Sequence, residues 1–187
     1  MANKNNANNV TAAKPKTGGA IYLAAVGTAL PTDAKSELDA AFQNLGFVSE
    51  NGVENDNNGS SEEVKEWGGK VVNTLMKEKG DKFKFTLIEA LNPEVLKLIY
   101  GARNVEGTLE SGITVKASND EYESYSFVFD MLLKNGIMKR IVLPLAKVSE
   151  VGTVKYVSGE NIGYETTLSA FPDGKGFTHY EYIVKEG

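Results

Sequence analysis

The 187-residue chain has no cysteine, one histidine, one tryptophan and five prolines. It also has no apolar run near the ~20 residues that a membrane-spanning helix needs. Each scarcity closes off some chemistry. Without cysteine there is no disulfide framework, thiol nucleophile or Cys-ligated zinc. A solitary His179 leaves most histidine-based metal and triad chemistry without its parts. Acids exceed bases by 25 to 20, and the resulting charge of -5 argues against a protein that grips nucleic acid through its overall charge. Residues 1–17 are too polar to read as a secretion leader. What remains is globular: 41% hydrophobic and 24% charged, in a length that suits one domain with a real core.

No catalytic constellation stands out. Neither G-x-x-x-x-G-K-[ST] nor G-x-G-x-x-G occurs. The acid pairs Glu62-Glu63 and Glu121/Glu123 lie in polar stretches and read as solvated. His179 reads as a structural strand residue, and Trp67-Gly68-Gly69 as a buried anchor at a strand end. The expectation is therefore a non-enzyme with no cofactor and no metal.

The chain divides unevenly. Residues 1–19 hold five Asn, three Lys and no acid, with too few apolar side chains to offset the entropy of ordering. They read as a flexible basic arm, and residues 20–187 as a single β domain. A short buried strand is predicted over 20–26. Ser36 and Asp39 suggest a capping box for a two- to three-turn helix ending at Gly46. Residues 49–63 form the largest polar interruption and read as a long loop. From Glu50 to Glu66 there are six acids and one base, Lys65.

Beyond Trp67 the pattern turns to β. Strands are predicted over 71–78 and 83–90 around the turn signal Lys79-Gly80-Asp81, with Phe83, Phe85 and Leu87 alternating against Lys82, Lys84 and Thr86. Asn92-Pro93-Glu94 opens a helix that Gly101 ends, with Val95, Leu96, Ile99 and Tyr100 on its apolar side. Short strands are predicted over 113–116 and 153–157.

Asn135-Gly136 predicts a two-residue hairpin loop that pairs Leu133 with Met138, Met131 with Arg140 and Phe129 with Val142. Both faces of that hairpin are partly apolar, more than a monomer with one wet sheet face requires. Pro144 is placed at an edge or strand end. A last hairpin is predicted from 164–171 and 177–184. Together these give a mainly β fold, a β-sandwich or partly open barrel with one short flanking α-helix.

Three segments in order resemble the major tail tube proteins of long-tailed (siphovirus-type) phages. They are Gly27-Thr28-Ala29-Leu30-Pro31-Thr32-Asp33 with Leu38-Asp39-Ala40-Ala41-Phe42, then Leu45-Gly46-Phe47-Val48-Ser49-Glu50-Asn51-Gly52-Val53, then 83–89 followed by Asn92-Pro93-Glu94-Val95-Leu96 and its continuation to Asn104-Val105. The resemblance covers roughly residues 20–105 and brings no catalytic motif. It implies a tail-tube-like subunit, hexameric rings stacked into a hollow tube, and passage of double-stranded DNA without specific binding. It also implies tape-measure, tail-terminator and tail-tip proteins as partners, no membrane, a place in the virion tail, and assembly in the host cytoplasm.

The assembly interface is expected at Glu50, Asn51, Glu54, Asp56, Glu62 and Glu63 of the polar loop, with Lys14 and Lys16 of the arm. The strand face Glu165, Thr167 and Ser169 is expected to line the lumen, because a bore rich in Lys or Arg would hold phosphate. The other readings weighed are a tube protein of a contractile injection or secretion system, and a monomeric β-sandwich module that binds sugar or peptide.

Overall fold

The computed structural model describes residues 4–185, so the first three residues of the arm and the last two of the chain lie outside the described residues. The strands run β1 (Ala13–Pro15), β2 (Ile21–Ala25), β3 (Gln43–Asn44), β4 (Val48–Asp56), β5 (Gly59–Lys65), β6 (Val71–Lys79) and β7 (Lys82–Leu87). Helix α1 (Pro93–Tyr100) follows, then β8 (Val105–Glu106), β9 (Thr114–Val115), β10 (Ser124–Leu133), β11 (Ile137–Val151), β12 (Tyr164–Ala170) and β13 (Tyr180–Lys185). The fold is mainly β, 45% strand and 9% helical, with no closed barrel, consistent with a β-sandwich.

The main sheet is ordered β3-β2-β10-β11-β12-β7-β4, with β1 added beside β10 and β13 beside β11. It folds over on itself: Phe83 of β7 stacks on Phe129 of β10 at 5.4 Å between ring centroids, although two strands separate them in the sheet. The turnover happens along β11. Its residues 137–142 pair with β13, and its residues 146–151 pair with β12.

Pro144 sits at that changeover, where no outer partner asks for the N–H it lacks. A bulge faces it between Tyr125 and Phe127, and Ser126 Oγ donates to the Pro144 carbonyl at 2.7 Å. Pro144 thus lies inside a long strand, not at an edge or end. A strand that bends through a bulge to serve two layers is how sandwiches turn corners.

The β10–β11 register differs by one residue from the sequence-based expectation. Leu133 faces Ile137, Met131 faces Lys139 and Phe129 faces Ile141, because the loop has three residues, Lys134 to Gly136. Asn135 and Gly136 do take positive φ, 63° and 68°. The shift brings Asp130 opposite Arg140. Arg140 Nε and Nη2 reach the two Asp130 oxygens at 2.6 and 2.8 Å, and Arg140 is 1% exposed. A buried guanidinium without that carboxylate would be costly, so the pair favours this register over its neighbours.

The same arginine settles the segment read as a helix over 36–45, which is irregular chain with side-chain-held turns running into β3. Asp33 Oδ1 accepts from the amides of Lys35 and Ser36, both at 2.6 Å, and Asp39 Oδ1 accepts from Ala41 at 2.9 Å. Arg140 Nη1 donates to the carbonyls of Asp33 (3.0 Å) and Ser36 (2.9 Å). Aspartates that bond their own backbone offer an alternative to the helix, and here the alternative wins.

This segment lays Leu30, Leu38 and Phe42 over Ala24, Val128 and Val142. The second apolar face of the hairpin is therefore covered by the chain itself, not left for another copy.

The larger core lies between the layers and takes in Phe83, Phe85 and Leu87 with Phe127, Phe129 and Leu143. Helix α1 closes one end as predicted: Asn92 Oδ1 accepts the Glu94 amide at 3.0 Å, Pro93 takes the first turn, and Gly101 ends the helix at φ 94°. Its Val95, Leu96, Leu98 and Ile99 are buried.

Three further expectations are corrected. β12 and β13 do not pair with each other; both pair with β11. Residues 153–157 form no strand, since β11 already ends at Val151. β6 pairs with β5, not with β7.

Candidate functional site

Residues 49–63, read as a polar loop, are mostly strand. β4 and β5 run outward and β6 and β7 return, so that 48–87 form one long hairpin. Its inner half, β4 with β7, belongs to the main sheet. Its outer half, β5 with β6, leaves that sheet as a separate two-stranded ribbon. Seven residues in β5 give a projection of about 23 Å at ~3.3 Å per residue.

The tip turns through Trp67-Gly68-Gly69, with Gly69 at φ 84° and its amide donating to the Glu66 carbonyl at 2.8 Å. Trp67 is fully exposed there, not the buried anchor expected. Val71, Val72, Leu75 and Met76 are exposed as well, Met76 by 74%. An isolated two-stranded ribbon is marginal in water, and this one carries bare apolar surface of the kind that suits docking. Sequence reasoning missed these side chains because a β-strand rich in Val, Leu and Met normally signals burial. The informative clue was its partner strand, Ser60-Ser61-Glu62-Glu63, which has no apolar alternation to build a core face.

The expected interface residues fall into three groups. Lys14 lies on β1, and with Glu50 and Asn51 it lines a cleft of about 370 Å³ between the arm and β4. β4 bulges there, its pairing to β7 shifting between Val48 and Val53. Lys16 extends toward Asp130 at 3.5 Å and borders a second cleft beside exposed Phe47. Glu54 and Asp56 lie on the outer sheet face opposite Lys84 and Lys82. Glu62 and Glu63 stand on the ribbon opposite Leu75 and Thr74, and Glu63 is 3.4 Å from Lys65. The structure thus brings Lys14, Glu50 and Asn51 together and holds Glu62 and Glu63 apart on the projection.

Glu165, Thr167 and Ser169 alternate with the buried Tyr164, Thr166, Leu168 and Ala170, so they face away from the core. Their cross-strand neighbours are Thr86, Lys84 and Lys82 on one side, and Glu150 and Lys147 flank Thr167 and Ser169 on the other. The face is mixed in charge. Lys84 Nζ lies 2.5 Å from Glu165 Oε1, and that contact, with Glu54 and Glu150 nearby, raises the lysine above its ordinary range. The cation is matched by neighbouring carboxylates.

Among the described residues, no group of three or more His, Asp or Glu side chains could hold a metal ion. No helix among them is long and apolar enough to cross a membrane. The lone His179 binds Asp81 at the root of the ribbon.

A mainly β body with an uncovered apolar ribbon leaves surface for a partner. The chain belongs to the phage tail tube protein family, whose sequence profile matches residues 1–186. No curated protein matches it. Membership gives the chain a structural role in the tail tube, a homo-oligomeric tube assembly and a place in the virion tail.

Proposed function

We propose that this chain is the tube-forming subunit of a siphovirus-type tail, stacking as hexameric rings into a hollow conduit for double-stranded DNA. The ribbon carries the reading: exposed Trp67, Val71, Val72, Leu75 and Met76 cluster on a two-stranded projection outside the main sheet. Ring and stack contacts are heterologous, one patch meeting a different patch on the next copy. In this reading the ribbon docks on the neighbouring ring, and the basic arm with its β4 cleft is the second assembly element.

Edge strands β4 and β13 each have one partner within the chain. Neighbouring copies close these borders, as a tube requires. The outer face bearing Glu165, Thr167 and Ser169 lines the bore. Its paired Lys84 suits DNA transit, because a lysine already matched by carboxylates releases few counterions on meeting phosphate. Acids on such a face act on phosphate over about one Debye length, ~8 Å at physiological salt. Tape-measure, tail-terminator and tail-tip proteins are the expected partners, and assembly takes place in the host cytoplasm.

Replacing residues 59–79 by a short Gly-rich turn tests the reading. The expected product is a folded, cooperatively melting monomer that forms no rods in negative-stain electron microscopy. Full-length tubes from the shortened chain would overturn the ribbon's role.

A further inference from the structure

Both strands of the long hairpin break at the same level. Asn57 and Asn58 separate β4 from β5, Gly80 and Asp81 separate β6 from β7, and the pairing passes from Asp56 opposite Lys82 to Gly59 opposite Lys79. Facing breaks in a two-stranded ribbon make a hinge, since no ladder hydrogen bonds cross that level to stiffen it.

The two sides of the hinge are built differently. On one, Asp56 Oδ1 accepts the Asn58 amide at 3.1 Å, a local turn. On the other, Asp81 is 4% exposed and thoroughly tied. Its carboxylate accepts from Asn55 Nδ2 (2.8 Å), Thr178 Oγ1 (2.6 Å) and His179 Nδ1 (2.5 Å). An ionised carboxylate only accepts, so the His179 proton on this side sits on Nδ1. The Asp81 carbonyl accepts the Ala170 amide at 2.9 Å. The His179 ring, partly exposed, stands edge-on at 5.4 Å to the buried Phe83. Thr178 and His179 come from the segment between β12 and β13, so the far end of the chain reaches across to the ribbon's root.

We infer that Asp81, Thr178 and His179 are positioning residues that lock this hinge and set the direction in which the β5–β6 ribbon leaves the body. The lock is a property of the isolated subunit and stands or falls without reference to tube formation. Hydrogen bonds to a charged acceptor are among the stronger ones, and here three converge on a single buried group at the pivot. With them in place the ribbon is presented in one orientation; without them the Asn57-Asn58 and Gly80 breaks leave it free to swing.

A chain without cysteine accepts two spin labels without background. Labels at Ser61→Cys on β5 and Glu150→Cys on β11 report the ribbon-to-body distance by pulsed electron paramagnetic resonance. The parent should give one narrow distribution. The double variant Thr178→Val with His179→Ala should broaden it and speed amide exchange around Lys82 and Phe83 by on the order of tenfold. His179→Ala alone should also broaden it, whereas His179→Asn, which places an amide donor near the Nδ1 position, should keep the narrow distribution, which a merely space-filling histidine would not explain. An unchanged narrow distribution in the folded double variant would overturn the inference. So would His179→Asn behaving like His179→Ala, a comparison that remains decisive should the double variant fail to fold.

Discussion

The two halves of the long hairpin share a chain and a direction, and each carries apolar side chains, yet they end in opposite environments. At the root, Phe83, Phe85 and Leu87 point inward and are at most 3% exposed, with Lys82, Lys84 and Thr86 on the other face. Past the hinge, Leu75 and Met76 lie on a ribbon that the chain covers on neither face. Apolar side chains on a strand therefore mark surface suited to burial, but not whose atoms will bury it. The root is stabilised by its own fold; the outer half has its apolar side chains uncovered.

The comparison is best broken by asking where stability resides. Arg140→Ala should be the most damaging single change, about 3–5 kcal/mol, because it strands the buried Asp130 carboxylate and frees the carbonyls of Asp33 and Ser36. Phe83→Ala at the root should cost a similar ~3–5 kcal/mol through lost contacts with Phe129 and His179. Chemical denaturation measures both.

Trp67→Ser at the tip should leave unfolding within about 0.5 kcal/mol of the parent. In tube formation it should show the loss of an aromatic anchor, about 2 kcal/mol per contact, seen as a raised critical concentration. A large fall in melting temperature would mean the tip is packed within the subunit after all.

Acid sharpens the contrast more gently. Burial alone would raise the Asp81 carboxyl, but hydrogen bonds from Thr178, His179 and Asn55 outweigh it and hold it below its ordinary value of 3.8. A carboxyl lowered in the folded state contributes stability above its unfolded value and loses it as pH falls through the folded one. Asp81→Asn should therefore flatten the fall in stability below about pH 4, measured by unfolding across pH. The smallest effect belongs to Lys97→Ala on the helix. There the 2.8 Å contact to Glu94 is a surface pair, and the expected change is roughly 0.3–0.5 kcal/mol.

Much of the architecture was legible where local chemistry decides the outcome. Asn92-Pro93 and Gly101 bound the helix as their backbone preferences dictate, and the Phe83, Phe85, Leu87 alternation marked β7. Reading failed where distant residues decide. The Asp130–Arg140 pair fixes the β10–β11 register, and neither residue announces its partner in a window of a few positions. The 33–42 segment carries helical spacing, but its carbonyls belong to an arginine more than 100 residues away.

The Asn- and Gly-rich stretch 49–63 looked irregular because its residues are poor strand formers, and cross-strand pairing overrides that preference. The acidic positions and the basic arm stand out in the sequence by their charge. Trp67 and its apolar neighbours were not, since exposure is decided by what the chain lacks to cover them.

The tie from Arg140 to Asp33 and Ser36 also bears on how the molecule is made. Synthesis begins at the other end, so the first forty-odd residues leave the ribosome long before the guanidinium that arranges them exists. Until β10 and β11 exist, that stretch has neither the arginine that holds the Asp33 and Ser36 carbonyls nor the Val128 and Val142 surface it covers. A newborn chain halted short of residue 140 would show its sheet bare on the side the finished protein hides.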